Sequence, residues 1–431
     1  MQSPFQALGT KIEGITAVRR VGRIAALGGG TLRVTGLSDI AALGDRVAIS
    51  GRFGGEVVEI GTDTLTVICD EAIEGLALQD RVELEGAMSV APDDSWIGRV
   101  IDPLGRPLDG RPLLPGPHAR SLRAAPPQPA ERRAMGDRLA TGMAAFDTLL
   151  PLVRGQRIGL FAGSGVGKST LLAGFARGVQ ADIVVIALIG ERGRELREFV
   201  ETVLGPEGMA RAVVIAATSD RSAPVRRRCA LTAMTVAEHF RDRGHHVLLL
   251  ADSITRFAEA HREMAVAAGE AASLRGYPPS TSHAIMSLAE RAGPGTEGAG
   301  DITAVFSVLV AGSDMEEPVA DILRGTIDGH VVLDRAIAER GRFPAIDILR
   351  SVSRSLPAAA TAEQNAMIGR ARQIMGTWDK AEMMVQAGLY AKGSDPQVDL
   401  AVRLWPKLDA FLAERSTGVT HAFQRLEACL R

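Results

Sequence analysis

Ile158-Gly-Leu-Phe-Ala162-Gly163-Ser164-Gly165-Val166-Gly167-Lys168-Ser169-Thr170-Leu-Leu172 decides the reading of this chain. An apolar run enters a glycine-rich turn, and Lys168-Ser169 then opens a helix. The spacing is that of a phosphate-binding P-loop, with Ala162 standing where the first glycine is usual. Gly163, Gly165 and Gly167 let backbone N–H groups face an anion, and the helix N-terminus adds its positive dipole end. A methyl group fits at the first position, which only starts the turn. Gly163, Ser164, Gly165, Val166, Gly167, Lys168, Ser169 and Thr170 therefore form the expected nucleotide cradle. Lys168 would reach the β- and γ-phosphates, and the Ser169 hydroxyl would bind Mg²⁺. An ordinary glycine-rich strand–helix loop is the alternative, but strand, Lys-Ser pair and helix all fall in place.

At 431 residues the chain is too long for one core and predicts two or three domains. A hydrophobic share of 46% with 23% charged residues is that of a globular protein, and a net charge of −2 gives no field toward nucleic acid or anionic membrane. The N-terminus lacks the basic-then-apolar pattern of a secretory signal. Cys69, Cys229 and Cys429 are scattered without a CxxC pair and read as reduced, buried residues. The histidines show no metal spacing, so no metal beyond Mg²⁺ is expected.

Up to about residue 90, short strands and turns such as Thr31-Leu-Arg-Val-Thr35 and Asp45-Arg-Val-Ala-Ile-Ser50 predict a small closed β-barrel. Met1 to Gly86 holds eight Lys/Arg against twelve Asp/Glu, with Phe5 and Phe53 as its aromatics. A nucleic-acid groove wants basic residues and stacking rings, so an assembly element is expected and nucleic acid is not a partner. Residues 91–356 form the predicted P-loop core, with a proline-rich linker at 111–138 that includes Pro126-Pro-Gln-Pro129. Its strand-like runs, Ile158–Ala162, Ile183–Leu188, Ala212–Ala216, Val247–Ala251 and Thr303–Val310, alternate with helical patterns and predict a mostly parallel α/β sheet. Val225, Cys229, Thr232, Val236 and Phe240 mark one buried helix face, and the Arg226-Arg-Arg228 run is expected to be solvated or inter-subunit. Residues 357–431 turn helical, with Leu400, Leu404, Trp405, Leu408, Phe411 and Leu412 on one amphipathic face.

Ligands of open α/β sheets bind at the carboxyl ends of strands. Val247-Leu-Leu-Leu-Ala-Asp252 puts Asp252 beside the P-loop, where a carboxylate holds Mg²⁺ or its water shell. Ile183 through Glu191 ends in a second acid, placed to polarise the water that attacks the γ-phosphate, with a solvated loop acid as the alternative here and a helix N-cap acid as the alternative at Asp252.

Gly190-Glu-Arg-Gly-Arg-Glu195, Asp252-Ser-Ile-Thr-Arg-Phe-Ala258, Arg275-Gly-Tyr-Pro-Pro-Ser280 and Ile327-Asp-Gly-His-Val-Val-Leu-Asp-Arg335 resemble the nucleotide-binding subunits of rotary ATP synthases. Within that superfamily the P-loop phrase and Lys392-Gly-Ser-Asp-Pro396 resemble the flagellar and type III secretion export ATPases. The resemblance covers nearly the whole chain. It implies a RecA-like core, ATP as substrate and Mg²⁺ as cofactor. Glu191 is then the catalytic carboxylate, and Arg192 and Arg256 lie in the nucleotide pocket. Phe343 matches the position that packs on adenine, with a plain core residue as the alternative. Arg354, in Ser351-Val-Ser-Arg354, matches an arginine finger inserted by a neighbouring subunit, with a surface salt bridge as the alternative. In rotary synthases the carboxylate and the finger come from different subunits. Here one polypeptide carries both, so a homohexamer is expected to complete its own sites.

By the same resemblance the expected partners are a stator or regulator at the N-terminal region, a stalk protein in the ring centre, export chaperone–substrate complexes at the C-terminal helices and a membrane export gate. The expected place is the cytoplasm, peripherally at the inner membrane. A flagellar apparatus is the leading expectation and a virulence-type injectisome the alternative. A rotary synthase subunit and a hexameric RNA translocase stand behind them. Lys168→Ala is expected to weaken ATP binding and turnover together, because its charge meets phosphate in ground and transition states alike. Equilibrium titration with a fluorescent ATP analogue checks this, and unchanged affinity would refute the P-loop reading.

Overall fold

A computed structural model describes residues 18–310 and 315–431. Met1 to Ile15, expected to offer a tail for a regulator, lie outside the described residues. Strands β1 (Arg20–Gly28), β2 (Thr31–Thr35), β3 (Asp45–Ile49), β4 (Phe53–Ile60), β5 (Thr64–Cys69) and β6 (Arg81–Ala87) close into a barrel in the order β1-β2-β5-β4-β3-β6. Period-2 alternation fixes which side chains fill it. Ile24, Leu32, Val34, Val47, Ile49, Val57, Leu65, Val67 and Val82 point inward and are buried.

The central layer contains β7 (Arg99–Ile101), β8 (Arg157–Ala162), β9 (Ile183–Glu191), β10 (Ala212–Thr218), β11 (His246–Asp252), β12 (Asp301–Leu309), β13 (Gly329–Leu333) and β14 (Ile346–Ser353). They run in the order β14-β13-β8-β12-β11-β9-β10-β7, parallel except for β14, which is antiparallel to β13. The five expected core strands are all present. Three more complete the path: β13 falls inside the Ile327–Arg335 phrase, β14 runs into Ser351-Val-Ser-Arg354, and β7 is a three-residue edge in a turn-dense segment. Apolar clusters on both faces bury the sheet, as a parallel sheet requires.

The expected buried helix face forms within Ala223–Arg241, with Cys229, Thr232, Val236 and Phe240 fully buried. After Pro357 come helices Ala362–Gln386, Pro396–Leu412 and Val419–Cys429. Leu404, Leu408, Phe411 and Leu412 are buried, and Trp405 stacks on Trp378 with ring centroids 5.9 Å apart. No helix among the described residues is long and apolar enough to cross a membrane.

The expectation for Arg226-Arg-Arg228 is corrected. Arg228 is 1% exposed, and its guanidinium donates to Asp70 Oδ1 at 3.0 Å and Oδ2 at 3.2 Å. Arg227 Nη2 donates to Glu56 Oε1 at 2.6 Å, and Arg226 grips both oxygens of Glu263 at 2.8 Å. Glu56 and Asp70 belong to the barrel, so two arginines of a core helix hold the barrel in place. The carboxylates that recruit them lie more than a hundred and fifty positions earlier in the chain, which local periodicity cannot reveal. The linker reinforces the joint through Arg123, which reaches Leu43 O at 2.8 Å and Glu56 Oε1 at 3.1 Å, while Arg133 ties the linker to the core at Asp301 Oδ1, 2.7 Å away.

Removing one partner of a buried pair leaves an uncompensated charge, typically costing about 3–5 kcal/mol. Arg228→Met is therefore expected to lower the stability of the barrel–core joint by roughly that amount, while Arg228→Met with Asp70→Leu recovers most of the loss. Urea denaturation followed by limited proteolysis of the barrel checks it, and equal behaviour of the two variants would refute the assignment.

Candidate active site

The site forms where β8, β9, β11 and β12 end together. Ala162 is fully buried as the last residue of β8, which places its methyl group in the core. Gly165 and Gly167 take left-handed φ of +77° and +85°, and Gly167 leads into helix Lys168–Gly178. Val166 is 2% exposed and anchors the loop in the apolar core, while Ser164, Ser169 and Thr170 are exposed on its open side.

Lys168 Nζ bonds Asp252 Oδ1, and Ser307 Oγ donates to the same oxygen at 2.6 Å. Strand register explains the meeting, since Ala251 pairs with Phe306 and the next residues are Asp252 and Ser307. Ser307 is a participant that sequence reasoning missed. It sits in the apolar run of β12, and only strand adjacency brings it to Asp252.

Glu191 reaches the site through a bulge. Pairing of β9 with β10 slips between Ile189 and Glu191, with Gly190 between them at φ +69°. Such a glycine bulge re-aims the following side chain. Burial pushes the Glu191 carboxyl up to about 7, with the nearby Asp252 charge adding to it and Lys168 opposing it. Glu191 also hydrogen-bonds Glu195, whose carboxyl is lowered by that bond and by Arg192, the guanidinium lying 2.8 Å from Glu195 Oε1.

The other predicted residues divide. Arg192 is exposed and turned to Glu195. Arg256 packs its stem against Gly190 and pairs with Glu259 at 2.9 Å. Phe343 is half exposed, which removes the core alternative, and its ring lies about 3.2 Å from where a Cβ on Gly167 would stand. Arg354 is far from all of these. It follows β14 at the level of Arg157, where its N–H bonds Asp328 O at 3.0 Å. Five strand residues, roughly 17 Å, separate that level from Ala162.

Comparison with known proteins supports this architecture. Residues 142–353 match the ATP synthase alpha/beta family, nucleotide-binding domain, and residues 360–427 match the type III secretion EscN ATPase C-terminal domain. The flagellum-specific ATP synthase of Caulobacter vibrioides is 42% identical, covering 99% of each chain. The assembled ATPase EscN from the enteropathogenic E. coli type III secretion system is 36% identical, with a TM-score of 0.89 over 95% of this chain and all of that one. EscN in complex with its central stalk EscO matches with a TM-score of 0.86 at the same identity and coverage.

The raised Glu191 carboxyl has a sign that can be tested. A group whose folded pKa exceeds its unfolded value contributes full stability below the ordinary carboxyl range and loses it as pH rises through about 7. Glu191→Gln keeps the neutral, hydrogen-bonding form at every pH. Its melting temperature relative to the parent is expected to rise between about pH 5 and about pH 8. A difference that stays flat across that range, read by calorimetry without nucleotide, would refute the buried-carboxyl account.

Proposed function

The chain belongs to the flagellum-specific and type III secretion ATPases of the ATP synthase alpha/beta family, and from that premise we propose that it hydrolyses Mg-ATP at sites shared between neighbouring subunits of a homohexamer to energise flagellar protein export. The carrying observation is separation along one sheet. Lys168, Glu191 and Asp252 stand at one end of the strands and Arg354 at the other. No side chain spans that distance, so a finger at Arg354 serves another chain.

In each site the loop Gly163–Gly167 wraps the phosphates, and Lys168 exchanges Asp252 for phosphate oxygens. The donor set fits a hard cation: the Ser169 hydroxyl is exposed at the loop, and the Asp252 carboxylate is released as Lys168 turns away. Held there by Ser169 and Asp252, Mg²⁺ would supply charge neutralisation for the phosphates. Glu191 takes a hydrogen bond from the attacking water and orients it in line, and the neighbour's Arg354 meets the charge on the γ-phosphoryl oxygens. Phe343 covers the adenine. Arg256 borders the phosphate end, and Arg192 acts through Glu195 on the carboxylate pair.

The flagellar assignment follows the relative from Caulobacter vibrioides, with an injectisome as the second reading because EscN has the same architecture. A stalk protein in the ring centre is proposed from the EscO complex of that relative. Chaperone–substrate complexes, a membrane export gate and a cytoplasmic position at the inner membrane complete the proposal. An arginine finger is worth about 10³–10⁵ in rate. ATPase activity per chain is therefore expected to rise steeply with protein concentration as rings assemble. Arg354→Ala should stay near the dilute value at every concentration while binding ATP normally. Equal activity per chain in a sample shown to be monomeric would overturn the shared site.

A further inference from the structure

The peptide that carries Arg354 is gripped from behind by one buried amide. Gln156 is fully buried just before β8, and each polar atom of its side chain is engaged. Its Oε1 accepts from Val153 N at 3.0 Å. Its Nε2 donates to Asp328 O at 3.2 Å and to Ser353 Oγ at 3.0 Å. Both acceptors flank Arg354: Asp328 O also takes the Arg354 N–H, and Ser353 is the residue before it. Ser353 Oγ in turn donates to Pro151 O at 2.7 Å and lies 2.8 Å from Ser355 Oγ on the far side of the arginine. The Asp328 carboxylate completes the anchorage by accepting from Arg157 N at 3.0 Å and Nε at 3.1 Å. The backbone before and after Arg354 is thus fixed, while its exposed guanidinium makes no hydrogen bond or ion pair among the described residues.

A surface loop does not need a buried amide this fully used, because water would satisfy its peptide groups. Precision is useful where a side chain must meet a transition state, since a 1 Å displacement costs on the order of 10²-fold in rate. Gln156 also directly precedes the strand that ends in the phosphate loop. We propose that Gln156 is a positioning residue for Arg354, its amide tying the finger's peptide to the base of the phosphate-loop strand so that each subunit presents the finger to its neighbour in one fixed place. The inference rests on the shared-site reading of Arg354.

Gln156→Ala and Ser353→Ala each loosen the mount without touching nucleotide. Each is expected to lower kcat by about tenfold to 10²-fold in assembled rings, with KM and ATP affinity unchanged. Mixing either variant with Glu191→Gln chains separates mounting from packing. A Glu191→Gln chain has an inactive site of its own but an intact finger, so mixed rings are expected to recover activity above both parents. Full activity of both variants, or lost ATP affinity without recovery on mixing, overturns the proposal. Should Gln156→Ala fail to fold, Ser353→Ala decides. Recovery of Arg354→Ala rings but not of these variants overturns this inference alone. Failure of Arg354→Ala to recover overturns the shared site and this inference with it.

Discussion

An ammonium and a carboxylate buried together hold the working end of the sheet. Isolated burial of either charge is costly, and each satisfies the other. Asp252 ends one strand, Ser307 supplies a hydroxyl from the next, and Lys168 begins the helix that packs over both. Three elements distant in sequence are thereby pinned at one oxygen atom. In the proposed reaction the same pair defines the chemistry, since a phosphate that draws Lys168 away would supply its new counter-charge and leave a carboxylate ready for a cation. Glu191 stands beside this pair and senses it, because the Asp252 charge is one of the forces that hold its proton.

A second set of buried charges does a different task. Glu56 and Asp70 leave the barrel wall to meet Arg227 and Arg228, and Arg123 of the linker closes over the joint. Planar guanidinium forks suit such carboxylates, because two parallel hydrogen bonds fix orientation as well as distance. Buried pairs of this kind are screened less by salt than surface pairs. Barrel and core therefore meet through directional bonds rather than through apolar contact alone.

The sequence made the phosphate loop, Glu191 and Asp252 legible because each ends an apolar strand, and strand ends are where such sheets bind ligands. It made the barrel legible through alternation. What escaped depends on partners far away in the chain. Ser307 reads as a polar interruption of an apolar run until register sets it beside Asp252. The arginines at 226–228 read as a wet face until the barrel supplies its acids. Gln156 carries no local signal, for an amide before a strand is unremarkable until Asp328 and Ser353 arrive from 172 and 197 positions downstream. Strand β13 was hidden by its shortness, five residues, and β14 by Asp347 and Arg350, which interrupt its apolar run.

The choice of cation at these joints has a chemical corollary. Between Lys11 and Lys380 the sequence contains a single lysine, Lys168, and every cation of the barrel joint is arginine. Acetylation and other amine chemistry act on lysine and not on guanidinium. An amine-directed reagent thus finds the described part of the chain silent from the barrel to the start of the C-terminal helices, except at the floor of the phosphate loop. There the target amine is paired with Asp252. The scaffold is inert to such reagents, and the one residue they can report on in that span is the lysine of the phosphate loop.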